Sequence, residues 1–291
     1  MSWIALILTL LLEQVRATPS ENPVYAGATA WADKVARNLN AGKARHGGYG
    51  WLLVVGLGVL VTFALFEAAR SWFWLAALAV DVFVLFFALG FRQFSHPITR
   101  IQTALEQGDV DEARRVFVQW RRVTDPGFDA SEINETEIVR QSIEFGLLAS
   151  HRHVFGVLFW FVILPGPCGA VLYRLSEYLA RHWNRPGSAG DLGVPPDQFG
   201  QFAQQAYAWI DWLPARLTAL GFAIVGDFEG AAHCWRNLNV ESRPNVSAAQ
   251  EGAGLAEPGP EALRSAVGLA WRAMVLWLLL LLLMTMAAAL S

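Results

Sequence analysis

A carboxylate inside an apolar run is the first residue of this sequence with chemistry to offer. Asp81 sits near the middle of 72–90, with only apolar neighbours for four positions on either side. An ionised carboxylate at membrane depth costs about 2.5–3.5 kcal/mol on insertion scales, so it must face other helices and find a partner. That partner is either a structural helix contact or a bound group. Four more charged residues have the same significance. Arg152 and Arg174 bracket an apolar run broken by Pro165, Gly166 and Pro167, and Asp211 and Arg216 flank Pro214 within another. Together they outline a polar cavity for a small polar ligand. Other chemistries lack their residues. His151 and His153 are two apart and fall on different helix faces. Cys168 and Cys234 form no CxxC pair, and His233 beside Cys234 has no further partner in sequence, which argues against a disulfide framework or thiolate zinc site. Gly56-Leu57-Gly58 has no following Lys-Ser/Thr and lies inside an apolar span, where it serves close helix packing.

The elements that must position these residues are membrane helices. Of 291 residues, 54% are hydrophobic and 16% charged, against about 25% charged in soluble domains. Thirteen Trp and eighteen Phe match the aromatic enrichment of membrane interfaces. The fold expected is all-α: a polytopic integral membrane bundle of about 4–5 spans, one of them broken or re-entrant, with cytoplasmic helical segments. Hairpin spans cover about 51–69 and 72–90, with a short turn around Glu67 to Ser71. A broken helix covers 154–182, because irregular backbone at depth is tolerated only where protein or a cavity shelters it. A helix spans 202–225, and a terminal transmembrane helix covers 266–290, after a flexible linker at 237–262. Residues 3–12 are too short to cross alone and read as an uncleaved anchor.

Lys and Arg are dense before and after the hairpin, whose turn has only Arg70, so both flanks are placed in the cytoplasm. The net charge of −3 gives no case for nucleic acid as a partner. After the hairpin, 97–122 reads as a cytoplasmic helix pair. Ser95-His96-Pro97 looks like a helix start, Gly108 ends the first helix, and Asp109 with Glu112 caps the second. Arg114, Arg115, Arg121 and Arg122 form a basic side, for lipid headgroups or for a ligand phosphate. The segment 184–198 reads as a loop. Asn245-Val246-Ser247 matches a glycosylation sequon by chance.

Several landmarks in order resemble the adenosylcobinamide-phosphate synthase (CobD/CbiB) superfamily, over 1–236. Ala104-Leu105-Glu106-Gln107-Gly108-Asp109 with Ala113-Arg114 is similar to its helix pair. Arg140 and Glu144 fall on a family Arg and Glu. Leu158-Phe159-Trp160, Gly166-Pro167, Gly169-Ala170, Tyr173-Arg174, Phe199-Gly200 and Pro214-Ala215-Arg216-Leu217-Thr218 follow at the family's intervals, and Asn22-Pro23-Val24 echoes its His-Pro-Val. The resemblance adds Glu144 to Asp81, Arg152, Arg174, Asp211 and Arg216 as candidate ligand residues. It implies condensation of adenosylcobyric acid with an aminopropanol phosphate, using ATP and magnesium.

The sequence departs from that pattern at polar positions. Leu148-Ala149 and Arg152-His153 replace Glu-Asn and Asp-Gly. Glu177-Tyr178-Leu179-Ala180-Arg181-His182 replaces Asn-Thr-Leu-Asp-Ser-Met, and Gln204-Gln205-Ala206-Tyr207-Ala208 replaces Ala-Arg-Leu-Asp-Asp. The lost carboxylates are the oxygen donors magnesium wants. Arg152 before Trp160, the Tyr178–Arg181 run and Asp211-Trp212 with Pro214 resemble instead the AmpE branch, inner-membrane modulators of β-lactamase induction coupled to cell-wall recycling.

Three functions follow as expectations. The first is an AmpE-like regulator in a bacterial inner membrane, without synthase chemistry or a resident cofactor, working through a membrane or cytoplasmic signalling partner. The second is a divergent synthase whose metal is held by Glu135, Glu137, Glu144 or Asp211, with magnesium and ATP. The third is a small-molecule transporter using Asp81, for which no inverted repeat is visible.

Overall fold

The computed structural model describes residues 2–15, 23–40, 44–125, 127–129, 133–184, 199–226 and 260–290. The sequon, His233, Cys234, Asn22, the 185–198 loop and 237–259 of the expected linker lie outside them. The described residues contain helices and no strand. In chain order they are α1 (Ser2–Val15), α2 (Pro23–Leu39), α3 (Ala44–Trp51), α4 (Leu57–Trp72), α5 (Trp74–Ala88), α6 (Phe91–Glu106), α7 (Val110–Arg122), α8 (Glu135–Ser150), α9 (Gly156–Ile163), α10 (Cys168–His182), α11 (Phe199–Val225) and α12 (Pro260–Leu290). Short π-helical segments, Leu52–Gly56 and His151–Phe155, join α3 to α4 and α8 to α9.

Five helices are long and apolar enough to cross a membrane: Arg45–Trp72, Trp74–Glu106, Glu135–Ile163, Phe199–Val225 and Pro260–Ala287. They leave large apolar side chains exposed, among them Leu60, Leu65, Trp72, Trp209 and Leu283. Such surfaces are at home in hydrocarbon and not in water. The molecule is a multi-pass membrane protein of helical type, and a lipid bilayer is its environment.

The chain forms two compact units, Met1–Gly90 with Gly156–Pro214, and Phe91–Phe155 with Ala215–Ser291. In the first, α5 packs against α1 and α4, and α10 lies against α4, α5 and α9. The hairpin turn is shifted from its expected place. Residues 67–71 stay helical, and the break is Phe73 alone, extended at φ −171° and ψ 160°. Glu67, Ala68, Ala69 and Arg70 are good helix formers, and Arg70 Nη2 reaches Glu67 Oε2 at 2.9 Å in the last turn, where a cation suits the helix dipole.

The turn between α9 and α10 is built on close approach. Gly166 has φ +60°, and a Cβ there would also lie 2.7 Å from the Phe66 ring. A Cβ at Gly169 would strike the Trp160 carbonyl, and one at Gly156 the Tyr173 ring. These glycines let α10 fold back tightly on α9.

In the second unit, α6 packs on α7 and α8, and α12 on α6 and α8. The helix expected to start near Ser95 begins at Phe91 and carries Pro97 inside it. Proline removes one intrahelical hydrogen bond, but Phe91, Phe94, Ile98, Ile101 and Leu105 are all buried on one face, and that burial outweighs the lost bond. Asp109 caps α7 by accepting from the Glu112 N–H at 2.8 Å, after Gly108 at φ +75°. The final helix starts at Pro260, ahead of the expected 266, with proline in its first turn.

Candidate functional site

The polar interior of the first unit is organised by α10. Its residues Arg174, Tyr178 and His182 are spaced by four, as are Tyr25, Thr29 and Asp33 on α2. Each meets its counterpart. Arg174 Nη2 donates to Tyr25 Oη at 2.9 Å, Tyr178 Oη donates to Thr29 Oγ1 at 2.7 Å, and His182 Nε2 lies 2.6 Å from Asp33 Oδ1. Both rows advance in the same direction, so the helices run parallel here and face each other along their i, i+4 rows. Tyr25 Oη donates onward to the Phe87 carbonyl at 2.9 Å, which ties the ladder to α5.

Beside the ladder lies Glu177, only 1% exposed. Arg174 Nη1 donates to its Oε2 at 3.2 Å and Arg181 Nη2 at 3.0 Å, and Arg181 Nε pairs with Oε1. Both guanidiniums thus reach the one carboxylate through charge-assisted hydrogen bonds. Two half-buried guanidiniums on one carboxylate make a cationic core. Tyr178 also stacks on His182, with ring centroids 5.0 Å apart and planes 16° apart.

A second polar chain begins on the neighbouring residue. Tyr173 is fully buried. Its hydroxyl donates to Asp211 Oδ1 at 2.8 Å and lies 3.0 Å from Tyr207 Oη. With its one proton committed to Asp211, Tyr173 accepts from Tyr207. Trp160 Nε1 donates to the Ile210 carbonyl at 3.1 Å, which fixes this part of α11 against α9.

The six candidates divide between the units. Asp81, Arg174 and Asp211 belong to the first, and Glu144, Arg152 and Arg216 to the second. Arg174 and, through Tyr173, Asp211 meet at successive positions of α10. Asp81 is 3% exposed on α5, and its Oδ1 is buried with no hydrogen-bond partner among the described residues. In the second unit Glu144 is exposed, and Arg152 and Arg216 are half-buried. His151 there places Nδ1 3.0 Å from Thr218 Oγ1, a buried structural contact. The ladder residues Tyr25, Thr29 and Asp33 and the clamp on Glu177 were not singled out from sequence as site residues. The available signal was polar spacing of four on two helices, but nothing local pairs helices 149 positions apart.

The CobD/CbiB protein family model matches residues 3–256. The chain belongs to the CobD/CbiB family. Two similar proteins are each named cobalamin biosynthesis protein CobD. The one from Stutzerimonas stutzeri (strain A1501) is 29% identical over 238 residues, covering 80% of this chain and 73% of its own length. The one from Chromobacterium violaceum is 33% identical over 178 residues, 61% of this chain and 53% of its own. No solved structure matches.

Synthase activity would imply magnesium, a hard cation held by oxygen donors. Among the described residues no group of three or more His, Cys, Asp or Glu could hold a metal ion. Glu135 and Glu144 are exposed. Glu137 is occupied by Arg140 Nη2 at 2.9 Å and Gln141 Nε2 at 2.7 Å, and Asp211 by Tyr173. Magnesium is usually held by one or two carboxylates together with substrate oxygens and water. Glu135, Glu137 and Glu144 lie on α8 of the second unit, and Asp211 belongs to the first.

Proposed function

We propose that this chain acts in cobalamin biosynthesis at a bacterial inner membrane, as a divergent adenosylcobinamide-phosphate synthase joining a corrinoid carboxylic acid to an aminopropanol phosphate. The observation that carries the reading is the match to a relative named CobD over 80% of this chain and 73% of that relative. The Arg174–Glu177–Arg181 core supports it. A sheltered pair of guanidiniums suits the carboxylate or phosphate of such substrates, and Tyr25 on α2 holds Arg174 in place. Their part is to bind and orient substrate. The test is purified protein in nanodiscs, supplied with both substrates, ATP and magnesium. Mass spectrometry is expected to find the condensed amide. Folded protein that forms none would defeat the reading.

One observation favours a second reading, an AmpE-like regulator of β-lactamase induction acting through a signalling partner. Leu148-Ala149 and Arg152-His153 stand where the resemblance calls for Glu-Asn and Asp-Gly, and the remaining carboxylates are dispersed. Deleting the gene separates the two. Altered β-lactamase induction with unchanged corrinoids would favour the regulator.

A further inference from the structure

The polar face of α6, in the second unit, has no role in the function proposed above. Its apolar residues turn inward, and on the opposite face lies a cleft of about 440 Å³, within the usual range for small-ligand sites. Two rows of side chains line it. Arg92, His96 and Arg100 form one, spaced by four; Ser95, Thr99 and Thr103 form the other, with the same spacing. On a helix such rows lie side by side.

The rows have opposite hydrogen-bonding character. The three hydroxyls spend their protons on the helix itself: Ser95 donates to the Phe91 carbonyl at 3.1 Å, Thr99 to Ser95 at 3.0 Å and Thr103 to Thr99 at 2.9 Å. Toward the cleft they offer only acceptor lone pairs. The other row offers guanidinium donors and an imidazole. Among the described residues Glu112 of α7 is the one acid lining the cleft, and it is shared between Arg100 at 3.2 Å and Arg115 at 3.0 Å. The charged residues that α6 itself contributes to the cleft, Arg92 and Arg100, are both basic.

We infer that the cleft binds a phosphate ester bearing free hydroxyls, its phosphate on the Arg92–Arg100 row and its hydroxyls donating to the Ser95–Thr103 row. Guanidiniums pair with phosphate oxygens through two parallel bonds. A soluble polyol phosphate and a glycerol-bearing phospholipid headgroup share that chemistry.

The experiment uses the full chain in phosphatidylcholine nanodiscs, titrated calorimetrically with glycerol 3-phosphate and separately with glycerol. A second arm measures retention of phosphatidylglycerol over phosphatidylcholine by native mass spectrometry. Saturable binding of glycerol 3-phosphate alone, weakened at least tenfold in Arg92→Gln and in Arg100→Gln but not in Arg70→Gln of the first unit, assigns the cleft to a soluble ester. Preferential phosphatidylglycerol retention, lost in the same two variants, assigns it to a headgroup. Binding should also weaken as salt rises. The two substitutions are made singly, so that one well-folded variant suffices. If wild-type protein prefers neither phosphate ester, or if binding survives both substitutions, the inference is overturned.

Discussion

Removing the carboxylate of Glu177 would strand the guanidiniums of Arg174 and Arg181 without their shared counter-charge. Breaking a buried ion pair from one side costs about 3–5 kcal/mol, so Glu177→Gln is expected to lower the thermal midpoint in detergent sharply. Tyr178→Phe removes only the hydroxyl that reaches Thr29, at about 1 kcal/mol. If the two variants melt alike, Glu177 is not the centre of the cluster. Gly156→Ala tests the other polar chain. Its Cβ meets the Tyr173 ring, and overpacking of this kind costs about 1–3 kcal/mol. Gly268→Ala, with nothing within 4 Å, should leave the midpoint unmoved or slightly raised. At this scale the sequence exposed Arg174 and Asp211, because a charge among apolar residues is visible without a structure. The partners of Arg174 were not legible: Glu177 looked like a departure from a family pattern, and Tyr25 is 149 residues away.

At the scale of elements, legibility followed locality. The Asp109 cap and the Gly108 stop were read correctly, because both depend on residues within one turn. Asp109→Ala should cost about 1 kcal/mol and speed amide hydrogen exchange in the first turn of α7, at Glu112 above all. Unchanged exchange there would mean the cap contributes nothing. The start of α6 was misplaced because a local signal, Pro97 after Ser95, was outweighed by burial of Phe91 and Phe94. The hairpin turn was placed on its charged residues, whereas Glu67 and Arg70 pair within the helix and Phe73 makes the break. The π-helical segment Leu52–Gly56 gave no sign in the sequence, since one inserted residue per turn does not disturb an apolar run.

For the whole molecule, composition was enough to name the solvent. Apolar runs of helix-spanning length need no knowledge of packing to be recognised, and five helices meet that requirement. Membranes washed with alkaline carbonate should retain the protein, and release of a monodisperse, detergent-free species would contradict it. The division of the candidate residues between two units was not legible, because it depends on how distant segments assemble. The family's function is the central claim, and growth of a bacterial strain lacking any adenosylcobinamide-phosphate synthase tests it most directly. Expression of this chain is expected to restore growth on a medium that demands corrinoid synthesis. Membrane-inserted protein that leaves the strain unable to grow would contradict the account.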